Sequence, residues 1–288
     1  MEWAHVCLTE AIEPPATTNH TQQYGPVHGL WTAALHDAAL GADGTHWRRR
    51  EAIMPNEQQP AATALLRRLR WAALGTPYDW SSRSYVPQAD IRAVAAPFTE
   101  LAHRMCSALI GHQLRGDVAL VNLYGTGCTL SGHVDDAEAD GCETAPVVSI
   151  SLGVPGVLLL QNATASGDGG TAVTPLLLRS GDVVVLSGPA RRARHGVPRV
   201  FTPGDTAPSK AAAHDAATAA LLAASAAAHG HGNTHGECGG VSDGAVDAVC
   251  ISPPVCACSL ACVPAWLHHN RINISIRDME PGARLAAG

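Results

Sequence analysis

The chain has 288 residues, 46% of them hydrophobic and 15% charged, with a formal net charge of −6. That is enough chain to bury a sizeable core in one large domain or two small ones, and the composition excludes a largely disordered polymer. The acidic balance excludes a global basic field of the kind that gathers nucleic acid, leaving only local patches for that purpose. Of the 19 basic residues, all but Lys210 are arginine, a side chain suited to phosphate and carboxylate recognition but also common in Ala-, Arg- and Gly-rich chains with biased codon usage.

In chain order, residues 1–60 read as loop-rich, with little sustained periodicity. No signal-peptide pattern stands at 1–16, where Glu2, Glu10 and Glu13 are acidic, and the same acidity argues against a transit peptide. No run of 18 apolar residues suggests a membrane span. "AATALLRRLRWAALG" (61–75) predicts a short helix stopped by Gly75, and "DIRAVAAPFTELAHRMCSALIGHQ" (90–113) a longer one interrupted near Pro97. From 117 the texture changes to short β-branched or apolar runs between turn residues: "DVALVNLY", "APVVSISLG", "GVLLLQ", "TPLLLRSGDVVVLSG" and "NRINISIR". Closely spaced short strands predict a sandwich or barrel, so the fold class is α+β, helices first and a double-sheet core after. Between the last two runs, alanine supplies 13 of the 25 residues from Asp205 to His229, followed by "HGHGNTHGECGG". That low-complexity stretch reads as a surface insertion between core strands.

Candidate chemistry starts at "HVD". In an extended segment His133 and Asp135 share a face, and an imidazole beside a carboxylate supplies two thirds of a metal site. His195 follows another apolar strand, and two histidines with one carboxylate form the facial triad of non-haem Fe(II) oxygenases, with one face of the metal open. In a chain with 15 histidines such a pattern also arises by chance. "RINISIR" adds independent weight. Strict alternation puts Arg271, Asn273, Ser275 and Arg277 on one face and three isoleucines on the other, and two inward arginines are costly unless they meet anions. A dicarboxylate such as 2-oxoglutarate offers two, one end chelating iron and the other reaching an arginine. A solvated edge strand with alternating charge is the plainer reading.

The ordered set "NLY…HVD…PVVSISLG…LRSGDVVVLSG…HGVPRV…RINISIR" resembles the AlkB family of Fe(II)- and 2-oxoglutarate-dependent dioxygenases over about 117–202 and 266–279. "LRWAALGTPYDWSSRSY" (69–85) and "HVDDAE" are similar to the AlkB homologue 1 branch. The resemblance implies a double-stranded β-helix, or jelly roll, with flanking helices. It implies His133, Asp135 and His195 as iron ligands and Asn122 and Tyr124 as co-substrate contacts. It further implies Arg271 at the distal carboxylate, Arg277 near the metal-bound one, and Asn273 between them. Fe(II), 2-oxoglutarate and O₂ are the implied cofactor set. The implied activity is oxidative demethylation or hydroxylation of methylated bases: 1-methyladenine in tRNA, N6-methyladenine in DNA, or 5-methylcytosine in tRNA. Where the bacterial repair enzyme has an acidic base contact, two positions after the ligand aspartate, this chain has Ala137, which argues against copying that enzyme's base recognition.

The expected organisation is a helical, substrate-contacting region over 1–116, a jelly-roll core over 117–204 and 263–280, and an insertion over 205–262. A nucleic-acid partner (tRNA or DNA) is expected, with no membrane and no obligate protein partner. The expected compartment is cytoplasm or nucleus, with the mitochondrion as the alternative. The competing readings are the same iron chemistry on a protein or small molecule, and a binding protein that no longer turns over. "HWRRRE" (46–51), "LLRRLRW" (65–71) and "RRAR" (191–194) are candidate phosphate contacts, with Trp47 and Trp71 as candidate stacking platforms, against the plainer reading of solvated faces with buried tryptophans. Five of the nine cysteines fall at 238, 250, 256, 258 and 262, but no Cys-x₂-Cys pair recurs with zinc-finger spacing.

Overall fold

The computed structural model describes residues 2–40, 61–79, 84–85, 91–125, 127–136, 145–161, 173–201, 205 and 259–279. Two antiparallel sheets face each other. The strands are β1 (Thr17–Thr18), β2 (Trp71–Gly75), β3 (Tyr78–Asp79), β4 (Ser84–Tyr85), β5 (Val118–Tyr124), β6 (Leu130–His133), β7 (Val147–Gly153), β8 (Gly156–Gln161), β9 (Val173–Leu178), β10 (Val183–Leu186), β11 (Arg194–Val200) and β12 (Arg271–Arg277). The larger sheet has the order β1-β2-β5-β12-β7-β10 and the smaller β6-β11-β8-β9, while β3 and β4 form a separate hairpin. This is the expected α+β class with its double-stranded β-helix core.

Six helices accompany the sheets among the described residues: α1 (Glu2–Thr9), α2 (Thr21–Tyr24), α3 (Leu30–Leu40), α4 (Ala62–Arg68), α5 (Ala96–Ile110) and α6 (Ser259–Leu267). None is long and apolar enough to cross a membrane. Leu8, Trp31, Leu65, Phe98, Cys106, Val263 and Trp266 from these helices join one buried cluster with Val121, Leu123, Val148, Ile150, Ile272, Ile274 and Ile276 of the larger sheet. The helices therefore cover the sheet's outer face. Its inner face looks toward the smaller sheet, where a second cluster of Tyr124, Cys128, Val154, Leu158, Leu178, Val197 and Val200 closes the sandwich.

Several local expectations are corrected. Residues 2–9, 21–24 and 30–40 are helical rather than loop. In the first of them Ala4, Cys7 and Leu8 are buried, with Ala11 just beyond, which is the i, i+3, i+4, i+7 spacing of a helical face made from small side chains. The stretch 61–75 is two elements: the helix ends at Arg68, Leu69 turns extended, and Trp71–Gly75 is a strand. All five of its residues are buried, so it lacks the alternation that marks a one-sided strand. Pro97 begins α5 rather than interrupting it, since the first turn needs no N–H and φ is already helical. "TPLLLRSGDVVVLSG" divides at Gly181 between the two sheets. The region 1–116 contributes β1 and β2 to the larger sheet, and α6 starts inside the stretch assigned to the insertion. Residues 206–258 lie outside the described residues, as do "HWRRRE" and Ala137.

Strand β12 is the hinge of this plan. It pairs with β5 along Arg271↔Tyr124 to Arg277↔Val118 and with β7 along Arg271↔Gly153 to Ile276↔Val148. Ile272, Ile274 and Ile276 are each 0% exposed on the helix side. Ile274→Ala is expected to destabilise the protein by about 2–4 kcal/mol, the usual cost of a large-to-small change in a packed core. Urea unfolding followed by circular dichroism measures this, and a loss below 1 kcal/mol would mean that β12 is not the packed centre.

Candidate functional site

All eight residues singled out in the sequence line one cavity of about 160 Å³ between the sheets: Asn122, Tyr124, His133, Asp135, His195, Arg271, Asn273 and Arg277. Two strands and one loop deliver the first cluster. His133 ends β6 and His195 lies second in β11, directly opposite it in register. Asp135 follows β6 by two residues. The His133 Nε2 lies 3.6 Å from Asp135 Oδ1, and His195 Nε2 lies 3.9 Å from Oδ2.

Both rings are oriented from behind. His133 Nδ1 lies 3.0 Å from the Ser131 carbonyl, and His195 Nδ1 lies 3.0 Å from the Ala193 carbonyl. A carbonyl only accepts, so each Nδ1 carries the proton and each Nε2 lone pair faces the centre. An ion held at about 2.1 Å by neighbouring ligands needs donor atoms about 3 Å apart, so a contraction of well under 1 Å seats one. Among the described residues no other group of His, Cys, Asp or Glu is so arranged.

Electrostatics favour the ligating forms. Burial pushes the Asp135 carboxyl up, but Arg277, His195, His133 and Arg191 together bring it down to about 2. The closest of these is Arg277, whose guanidinium is 3.1 Å from Oδ2. Burial lowers the His195 pKa, against the opposing pull of Asp135.

At the other end of β12, Arg271 is 2% exposed. It donates to Ser151 Oγ at 2.6 Å and to the carbonyls of Val154 and Leu178 at 3.3 Å. Its Nε has no partner, and no carboxylate of the described residues pairs with it. A buried guanidinium held by neutral oxygens is a seat for an anion. Beside it Tyr124, opposite in register, has a phenol whose pKa burial pushes up, so it stays a donor. Between the two ends, Asn273 donates to Ser149 Oγ at 2.6 Å and accepts from Ser275 Oγ at 3.2 Å. The donor set thus offers an open three-ligand metal position and a cationic seat across one small cavity, which fits Fe(II) and 2-oxoglutarate.

The 2OG-Fe(II) oxygenase superfamily model matches residues 31–277. The chain belongs to that family. Among its relatives, the DNA N(6)-methyladenine demethylase ALKBH1A of Arabidopsis thaliana is 36% identical over 212 residues, covering 70% of this chain and 60% of that protein. The tRNA demethylase abh1 of Schizosaccharomyces pombe is 29% identical, covering 63% of this chain and 61% of that protein. The nucleic acid dioxygenase ALKBH1 of Homo sapiens is 32% identical over 142 residues, covering 48% of this chain and 34% of that protein. The chain therefore spans about 60% of the length of the first two relatives, and it sits on the AlkB homologue 1 branch. The family uses Fe(II) and 2-oxoglutarate.

The sequence reading missed several contributors. Ser149 and Ser151, on one face of "VVSISLG", hold Asn273 and Arg271; period-two alternation through that strand would have found them. Gly156 was unmarked, yet a Cβ there would lie 3.1 Å from Arg271 Nε and 3.2 Å from its Cδ. Thr76, Tyr85 and Asp136 line the cavity beside the metal cluster. Two basic-patch readings are corrected. Trp71 is 7% exposed and paired with Asn122 in register, so it is no stacking platform. Arg191 of "RRAR" is 1% exposed and donates to the protein's own carbonyls, leaving only Arg192 and Arg194 exposed in that run. Cys262 packs in the helical core, and the other four cysteines of its region lie outside the described residues.

Arg271→Ala removes the cationic seat; a charge-assisted contact there to a co-substrate carboxylate would be worth roughly 1.5–3 kcal/mol, so the 2-oxoglutarate requirement is expected to rise about tenfold to hundredfold. Gly156→Ala acts in the same direction by crowding that guanidinium. Co-substrate titration of each variant reads this out, and an unchanged titration for Arg271→Ala would remove the arginine from the site. For pH, the folded pKa of Asp135 and that of His195 are both depressed below their ordinary 3.8 and 6.5. Their stabilising contributions are therefore complete above those ordinary values and lost as pH falls through the folded ones. The metal-free protein should lose melting temperature progressively below pH 6.5, and His195→Gln should flatten the upper part of that decline.

Proposed function

We propose that the chain is a nucleic-acid oxygenase using Fe(II), 2-oxoglutarate and O₂ to demethylate or hydroxylate bases. Its expected substrates are 1-methyladenine in tRNA and N6-methyladenine in DNA, with 5-methylcytosine in tRNA as a further one. The observation that carries this is the convergence of His133, Asp135 and His195 with Arg271 and Arg277 on one cavity. The names of the relatives, a DNA demethylase, a tRNA demethylase and a nucleic acid dioxygenase, support the substrate class.

In this reading His133, Asp135 and His195 hold the iron, and Arg271 with Tyr124 grips the distal carboxylate of 2-oxoglutarate. When bound, the metal and co-substrate supply the activation of O₂ that oxidises a substrate methyl, with succinate and CO₂ as by-products. Asn122 and Asn273 orient the co-substrate across the cavity floor. Arg277 keeps Asp135 ionised and so keeps the ligand set charged for a cation. The apolar walls of Leu120, Leu158, Leu186 and Val197 limit water around the reacting methyl. A hydroxymethyl group on nitrogen then breaks down to formaldehyde and the bare base, whereas on carbon it persists.

A methylated base reaches this cavity only unstacked, and unpaired or distorted nucleic acid opens at lower cost than regular duplex. A second reading, the same chemistry on a protein or small molecule, is favoured by the carboxylate of Asp136 at the cavity and the net charge of −6. Incubation with tRNA and with methylated DNA, followed by nucleoside mass spectrometry, separates the two. Loss of a methylated nucleoside supports the first. Succinate release with no nucleoside change supports the second. His133→Ala, Asp135→Ala and His195→Ala should each abolish both readouts while the fold persists by circular dichroism, because a three-ligand site has no spare ligand. Full succinate release by any variant would strike that residue from the ligand set.

A further inference from the structure

We infer that Arg191 is a positioning residue that holds two of the three ligand segments in place, an inference resting on the metal-centre reading above. Its guanidinium is 1% exposed. Nη1 donates to the Asp135 carbonyl at 2.9 Å, and Nε donates to the Ala145 carbonyl. Those two carbonyls bracket residues 136–144, so one planar side chain ties the chain's departure from the cluster to its return at β7. The same residue lies on the 3₁₀ turn Gly188–Arg192, which leads directly into Ala193. The Ala193 carbonyl sets the His195 ring through its Nδ1 at 3.0 Å. The backbone of Arg191 therefore places one ligand and its side chain places another.

Asp135 is the ligand that most needs such help. It lies two residues past the end of β6, where no sheet hydrogen bond fixes its φ and ψ, while His133 and His195 are strand residues paired with each other. Without the Arg191 contact the Asp135 carboxylate would still be drawn to Arg277, but nothing else among the described contacts fixes its backbone. Arg191 also adds to the pull that lowers the Asp135 carboxyl pKa. A buried guanidinium is a costly way to fill core volume, which an apolar side chain fills more cheaply. Its fork geometry, two donors in one plane, is what an apolar side chain cannot replace.

The test uses full-length protein and Co(II), whose visible absorption reports ligand geometry independently of turnover. Arg191→Lys and Arg191→Met are compared with the native chain by Co(II) titration, visible spectrum and thermal melting. Displaced support groups commonly weaken metal binding about tenfold to hundredfold. The expected result is at least about a tenfold weaker Co(II) affinity and an altered visible band in folded Arg191→Lys, with the larger effect in Arg191→Met. Native affinity and spectrum in variants that merely melt earlier would make Arg191 an ordinary strut and overturn the inference. Failure of both variants to fold at low temperature would overturn it in the same way. If the native chain binds Co(II) no better than His195→Ala does, the metal-centre reading itself fails, which is a separate outcome.

Discussion

Strand β12 has to satisfy two environments at once, and the rest of the molecule is arranged around that constraint. Its seven residues are hydrogen-bonded along both edges, to β5 and to β7. One face carries three isoleucines into the helical cluster and the other carries two arginines, an asparagine and a serine into the cavity. A slip of one residue would exchange the faces, burying two guanidinium groups among Leu8, Phe98 and Trp266 and setting the isoleucines in a polar cleft. Both errors are expensive, so the register is set by the strand itself. This matters because β12 follows β11 only after residues 201–270. Loop closure adds only about 0.6 kcal/mol per doubling of length, so a distant strand can return to the centre of a sheet when its side chains specify the place.

The two arginines answer to different partners. Arg277 meets a carboxylate of the protein, Asp135, at 3.1 Å, and the pair offsets much of the cost of burying either charge. Arg271 meets only a hydroxyl and two carbonyls. Its charge is therefore the unbalanced one, which suits its end of the cavity to an anion. The asymmetry follows from position along β12. Arg277 lies opposite Val118, at the end of the cavity where the loop after β6 brings Asp135, while Arg271 lies opposite Tyr124 and Gly153 at the far end. Gly153, at φ 87°, turns the chain there, and a Cβ would stand 2.1 Å from the Asn270 carbonyl.

Much of this was legible in the sequence because the decisive features are local patterns. Alternation in "RINISIR" identified which side chains share a face, and the same rule applied to "NLY" and "HVD" gathered the cavity residues. The resemblance to AlkB proteins supplied the double-stranded β-helix, which no periodicity gives. What was not legible has physical reasons. Strand β2 is buried on both faces, so its apolar run continues that of the preceding helix and the two read as one. The first helix buries only Leu8 as a large side chain, beside the small Ala4 and Cys7, too little to stand out among the acidic and proline residues around it. Arg191 lies in a run of three arginines, and charge alone does not tell which of them points inward. Only the backbone turn at Gly188–Arg192 decides it.

That turn also explains why the basic run and the metal cluster adjoin. β11 must leave His195 facing the cavity, so the residues on either side of it, Arg194 and Gly196, face away. Arg194 is accordingly exposed and lies over Gly132, where a Cβ would come within 3.1 Å of its Nε. Gly196 approaches β6 so closely that a Cβ would stand 2.8 Å from the Leu130 carbonyl. Gly196 lets β6 and β11 pack tightly enough for His133 and His195 to stand ring to ring at 4.5 Å. A side chain there would part the strands and with them the two imidazoles. The spacing of the ligand cluster is therefore a property of the smaller sheet's backbone, while its charge balance is a property of β12 in the larger one. The candidate metal position lies where the two sheets meet.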